Sequence, residues 1–251
     1  MTTRYALAFF VPVLLLGCGD IELNSQDGVG AAHADVRMLT DKDTQRVFYL
    51  SEGEDTPRYH EVEVSLEGAF ALGDPEAGVR ILEFGDFQCP WCAQSHFGLK
   101  DRKKELLESG SIEWVFVDFS LPGHSQSPGA HNAARCVGLE SPAKFWVAHD
   151  RIYSLQSQWS NQSNPDWIDI LGDLVDQEDT RGCIEDRAEL GVVGEFFQVA
   201  VDLNLTGTPA YFVGGLPVHG VLNAEHLDNI LDLLESSDPA EVLEDSGITA
   251  G

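Results

Sequence analysis

Residues 81–92 read Ile81-Leu82-Glu83-Phe84-Gly85-Asp86-Phe87-Gln88-Cys89-Pro90-Trp91-Cys92, an apolar run that stops at two cysteines spaced C-x-x-C. The run predicts a buried strand over 81–87, and residues 93–109 predict a helix ending at Gly110. Cys89 then falls at a helix N-terminus, where free backbone N–H groups and the positive end of the dipole stabilise a thiolate. Pro90 suits the first helical position because it has no N–H to leave unpaired. One thiolate could attack from this position while the second cysteine, a helical turn on, resolves a mixed disulfide. A bare C-x-x-C also occurs as half of a zinc site or as a structural disulfide. No second C-x-x-C is present to complete a four-cysteine zinc site.

The longer string from Gly73-Asp74-Pro75 through Val79-Arg80-Ile81 to Cys92 resembles the thioredoxin superfamily, and within it the DsbA-like thiol:disulfide oxidoreductases. Further words carry the resemblance: Phe119-Ser120-Leu121-Pro122-Gly123-His124, Asn132-Ala133-Ala134-Arg135-Cys136, Lys144-Phe145-Trp146-Val147-Ala148-His149-Asp150, and Gly207-Thr208-Pro209-Ala210-Tyr211-Phe212. The resemblance covers about residues 62–235. It implies an α/β chain with a thioredoxin fold and an inserted helical subdomain, exchanging disulfides with protein substrates and needing no cofactor.

The site residues follow from motif and resemblance together. Cys89 is the expected nucleophile and more exposed sulfur, Cys92 the resolving thiol, and Pro90 and Trp91 the residues that tune the couple. The oxidant form of the motif carries His after Pro. Trp91 supplies no cation, so a less oxidising couple is expected. Pro209 matches the family's cis-proline, which leaves the Thr208 backbone free to pair with an extended substrate strand. Glu83 matches an acidic residue implied to assist proton transfer with the resolving cysteine; the alternative is a buried Glu satisfied by a hydrogen bond. Asp86 and His124 read as structural and His96 as a surface residue. No pair of histidines has metal-ligand spacing, so no metal is expected.

A formal charge of −27 argues against nucleic-acid binding, which needs Lys and Arg for phosphate contacts, and against an electrostatic hold on anionic membrane. The basic cluster of Lys100, Arg102, Lys103 and Lys104 reads as a solvated helix face. The membrane enters through the N-terminus alone. Arg4 and the twelve apolar residues 5–16 form a run too short to span a bilayer and broken by Pro12. Leu15-Leu16-Gly17-Cys18 resembles a bacterial lipobox with Cys18 as the lipidated residue. Leu16 departs from the small residue often found there, and an ordinary secretory signal is the alternative. Either reading places the domain outside the cytoplasm, where disulfides persist. The expected partners are therefore reduced or misoxidised extracytoplasmic proteins. The resemblance adds a membrane quinone-linked partner for recycling. Of the five cysteines, Cys136 and Cys183 remain; an even remainder in an oxidising compartment suggests a second disulfide, which some DsbA-like proteins carry in the helical block. Two separate buried thiols are the alternative.

At 251 residues the chain suits one domain with tails. Residues 1–18 read as the signal segment, 19–58 as a tether whose short apolar patch at 47–50 could pack on the domain, 59–235 as the domain, and 236–251 as an acidic tail. Within the domain, strands are expected at 59–66, 81–87 and 112–119. Helices at 128–139, 142–155, 165–175, 180–190 and 193–203 make up the inserted block of about 128–204. Strands at 210–213 and 216–218 flank a Gly214-Gly215 turn, and Asn223 caps a last helix over 224–235. The order fits a thioredoxin fold with inserted helices, and the resemblance to DsbA-like proteins implies an exchanger that hands its disulfide to substrates. A reductase or isomerase using the same pair, and a non-catalytic surface binding protein, are the other readings.

Overall fold

The computed structural model describes residues 35–50 and 59–245. The lipobox, the rest of the N-terminal segment, residues 51–58 and the last six residues lie outside them. Among the described residues no helix is long and apolar enough to cross a membrane.

The centre is a β-α-β unit. Strand β5 (Val79–Gly85) leads through helix α1 (Pro90–Glu108) into a parallel neighbour, β6 (Ile112–Asp118). Both strands are covered on two faces, which is why they read as near-continuous apolar runs. In β6, Ile112, Trp114 and Phe116 join the core under α1, while Val115 and Val117 join the core on the opposite face. Beyond the inserted helices, β7 (Ala210–Val213) pairs antiparallel with β5, and β8 (Leu216–His219) pairs with β7. Gly214 and Gly215, both with positive φ, make the turn between them. Helix α8 (Ala224–Ser236) follows, and the Asn223 side chain accepts the His226 N–H at 2.8 Å to cap it. With β1 (Val36–Met38) and β4 (Phe70–Gly73) added, the sheet runs β1-β4-β6-β5-β7-β8. This is a thioredoxin fold with helices inserted between β6 and β7.

The insertion holds α2 (Ser127–Glu140), α3 (Pro142–Ser154), α4 (Gln156–Trp159), α5 (Trp167–Leu171), α6 (Glu178–Asp186) and α7 (Leu190–Asp202). The helix expected over 165–175 is shorter. Asp166 caps it by accepting from Ile168 and Asp169, and at Gly172, with φ of 52°, the chain turns into a 3-10 turn. A buried charge cluster ties the insertion to the sheet. Arg135 of α2 meets Asp118 of β6 at 2.9 Å and Glu189 at 3.0 Å, and His131 meets Asp118 at 2.6 Å. Cys136 of α2 and Cys183 of α6 are disulfide-bonded, with Cα atoms 5.7 Å apart.

The tether expected over 19–58 needs correction in its described part. Residues 36–38 form β1, and Thr44–Leu50 forms β2, which pairs with β3 (Tyr59–Ser65) in a second sheet. Val47 and Phe48 are both buried, one in each core, and the Phe48 N–H donates to the Gly215 carbonyl at 3.0 Å. Two neighbouring buried residues erase the alternation by which a half-buried strand is recognised. The acidic tail is likewise helical over Pro239–Asp245 (α9), with Leu243 packed on the core.

Candidate active site

Two elements and a loop converge on the cysteine pair. Cys89 has the extended backbone of an N-cap and Pro90 begins α1, so the sulfur sits where the first helical amides are free. Inside the first turn, Cys92 is fully buried and its sulfur accepts the Asp86 N–H at 3.5 Å. Across from them the Thr208–Pro209 bond is cis, and the Cys89 thiol donates to the Thr208 carbonyl at 3.3 Å. Cys89 is also largely covered, at 3 % exposure against 0 % for Cys92, so it is the more exposed of two buried cysteines; its exposed neighbour is Trp91, at 59 %. Asp86 secures the turn before the pair, accepting from the Gln88 and Leu121 N–H groups and meeting the His124 ring at 2.8 Å.

The two thiols are driven apart. Cys89 is lowered to about 6, first by a hydrogen bond from Cys92, then, against burial, by the Thr208 hydroxyl and the Cys92 and Trp91 N–H groups at the helix start. Cys92 is pushed well above the usual thiol range by burial and by the neighbouring Cys89. Such a pair can present one stable thiolate beside one retained proton.

Behind Cys92 lies a buried polar shell. Glu83, at 2 % exposure, accepts the Trp114 indole N–H at 2.7 Å. Among the described residues the Tyr153 and Tyr211 hydroxyls have no hydrogen-bond partner. Both phenols are raised by burial first, with the Glu83 and Cys92 charges adding to it. Lys103, expected on a solvated face, lies with its ammonium 4.2 Å from the Trp114 ring centroid and 4.6 Å from that of Trp146. Burial lowers it to about 8 against the pull of Glu83 and Asp150. His96 is not a surface residue either; its side chain is 9 % exposed and stacked on Tyr153.

Residues from the insertion complete the site. Gln156 donates to the Phe87 and Cys89 carbonyls at 2.7 and 2.9 Å, and Gln88 accepts from the Gln126 and Ser127 N–H groups. Nothing in the sequence marks Gln156. Lys103 did leave a signal, because it falls eleven residues after Cys92, three helical turns along the same face. Three donor side chains that sequence spacing does not bring together, His96 of α1 with His149 and Asp150 of α3, meet in space.

A family model described as Thioredoxin matches residues 65–233. The chain belongs to that family, and within the superfamily it is a DsbA-like thiol:disulfide oxidoreductase. It is 27% identical over 155 residues to the probable disulfide bond formation protein D of Bacillus cereus, covering 58% of this chain and 69% of that one. The fold is shared with Wolbachia pipientis alpha-DsbA1 at a TM-score of 0.60 and 19% identity, covering 71% of this chain and 96% of that one. It is shared too with oxidised BdbD of Bacillus subtilis, at a TM-score of 0.52 and 23% identity over 66% of this chain and 90% of that one.

Proposed function

We propose that the chain works outside the cytoplasm as an oxidase of protein thiols, with Cys89 as the exchanging sulfur and Cys92 as the resolving one. A substrate thiolate attacks Cys89 of the Cys89–Cys92 disulfide; that bond breaks, and Cys92 leaves as a thiolate and takes up a proton. A second substrate thiolate then attacks the substrate sulfur of the mixed disulfide and expels Cys89. Two electrons pass to the pair and the substrate keeps the new disulfide. The observation that carries the oxidising direction is the position of Cys89 at the start of α1, where the Cys92 side chain and the helix-start amides lower its pKa to about 6; a stabilised thiolate is a good leaving group and favours the reduced pair.

Glu83, buried and accepting the Trp114 indole N–H, is the candidate for moving the proton of Cys92. The Thr208 carbonyl, released when the thiol is consumed, is available to an extended substrate strand beside Pro209, and exposed Trp91 offers substrates an apolar contact. A quinone-linked membrane partner would draw the electrons off. Lipid on Cys18 would hold the domain at the membrane; Cys18→Ser should release it from the membrane fraction or leave it unprocessed. The direction is tested by oxidation of reduced ribonuclease beside reduction of insulin. Rapid ribonuclease oxidation with slow insulin reduction is expected, and the reverse would make the protein a reductase.

A further inference from the structure

Where α1 packs on α3, one turn beyond Cys92, three donor side chains face one another. The Asp150 Oδ1 lies 3.7 Å from His96 Nε2 and 3.2 Å from His149 Nδ1. One ligand atom from each of the three residues falls within 4.8 Å of the other two. A tetrahedral ion with bonds of about 2.0–2.1 Å needs its ligands roughly 3.3–3.5 Å apart, so closure asks for small side-chain shifts. The residues are held for this. His149 is fully buried among the Phe87, Phe116, Trp146 and Tyr153 rings, and His96 stacks on Tyr153. Asp150, 21 % exposed, leaves one side open to solvent.

We propose that His96, His149 and Asp150 bind a divalent transition-metal ion of the zinc type, clamping the redox helix to the insertion. Two imidazoles and one carboxylate suit such an ion, and with three protein ligands a fourth position stays open. The opposing charges come from α1: Lys103 acts on both His96 and Asp150, and Lys100 acts on His96. The metal therefore competes with the Lys103 ammonium for Asp150, and removing that ammonium should tighten binding.

The test uses the full chain without a histidine tag and with Cys89–Cys92 oxidised, so that neither thiol can ligate. Equilibrium dialysis against zinc, read by elemental analysis, should leave one equivalent bound. His96→Gln and Asp150→Asn should each weaken binding at least ~10-fold, and Lys103→Met should strengthen it. Cobalt in the unaltered chain should show tetrahedral d–d bands without sulfur-to-metal charge transfer, a readout that does not depend on any variant folding. No retained zinc, retention indifferent to His96→Gln and Asp150→Asn, or a cobalt spectrum with thiolate charge transfer would each overturn the site.

Discussion

Burial alone would make Cys89 harder to ionise, yet its pKa falls to about 6, lowered first by the Cys92 side chain and then by the Thr208 side chain and the Cys92 and Trp91 backbone at the helix start. An unfolded cysteine ionises near ~8.5. A depressed acid stabilises the fold fully above its unfolded pKa, and this contribution is lost as pH falls through the folded value. Cys92 titrates far above that window, and the oxidised protein has no thiol to ionise. The stability of the reduced form, measured against the oxidised, should therefore rise by up to ~3 kcal/mol between about pH 6 and 8.5. Denaturant titration of both redox forms checks this; a difference that stays flat with pH contradicts it. The same thiolate makes Trp91 a tuning position. Trp91→His adds an imidazolium near Cys89, favours the reduced pair and should raise the reduction potential, each ~30 mV corresponding to about 1.4 kcal/mol. Equilibration with glutathione reads the shift, and no increase would count against the reasoning.

Strand and helix have to meet closely for these residues to be placed. Gly85 ends β5 against β6, where an added Cβ would come within 2.5 Å of the Phe116 ring. Gly85→Ala should cost ~1–3 kcal/mol of stability through overpacking, visible as a lower denaturation midpoint; an unchanged midpoint would mean the strands can part without cost. Much of this element-level design was legible. The apolar runs of β5 and β6, the Pro90 helix start and the Asn223 cap each come from local chemistry that a sequence displays. Helix α1 was legible only in part. Its buried face runs through Cys92, His96, Leu99, Lys103 and Leu106 at spacings of four and three residues. The polar ring of His96 and the charge of Lys103 hid that stripe, because a hydropathy reading assigns polar and charged groups to water. Cation–π contact with Trp114 and Trp146, which offsets the burial of Lys103, depends on β6 and α3 and so appears only in three dimensions.

At the scale of the whole molecule, what escaped the sequence is long-range pairing. Strand β2 is stabilised by β3 and by the Gly215 carbonyl, and β4 is only four residues long, too few to show a period. The Cys136–Cys183 link, which the even remainder of cysteines did suggest, is a further long-range term, closing 47 residues of separation between α2 and α6. In the chain-entropy account such a loop stabilises by about 4 kcal/mol, less any strain, by restricting the unfolded chain. That is a large share of a typical ~5–15 kcal/mol domain stability. Cys136 is 2 % exposed and Cys183 is half-buried. The redox pair, by contrast, contains an acidic thiol that leaves readily. Mild reductant should therefore open Cys89–Cys92 first and expose two thiols in the domain, with four appearing only under harsh or denaturing reduction. The Cys136→Ala/Cys183→Ala chain should lose up to ~4 kcal/mol in denaturant unfolding while the potential of the Cys89–Cys92 pair stays near its original value. Four thiols released together by mild reductant, or a double variant as stable as the original, would show that this bond does not brace the insertion.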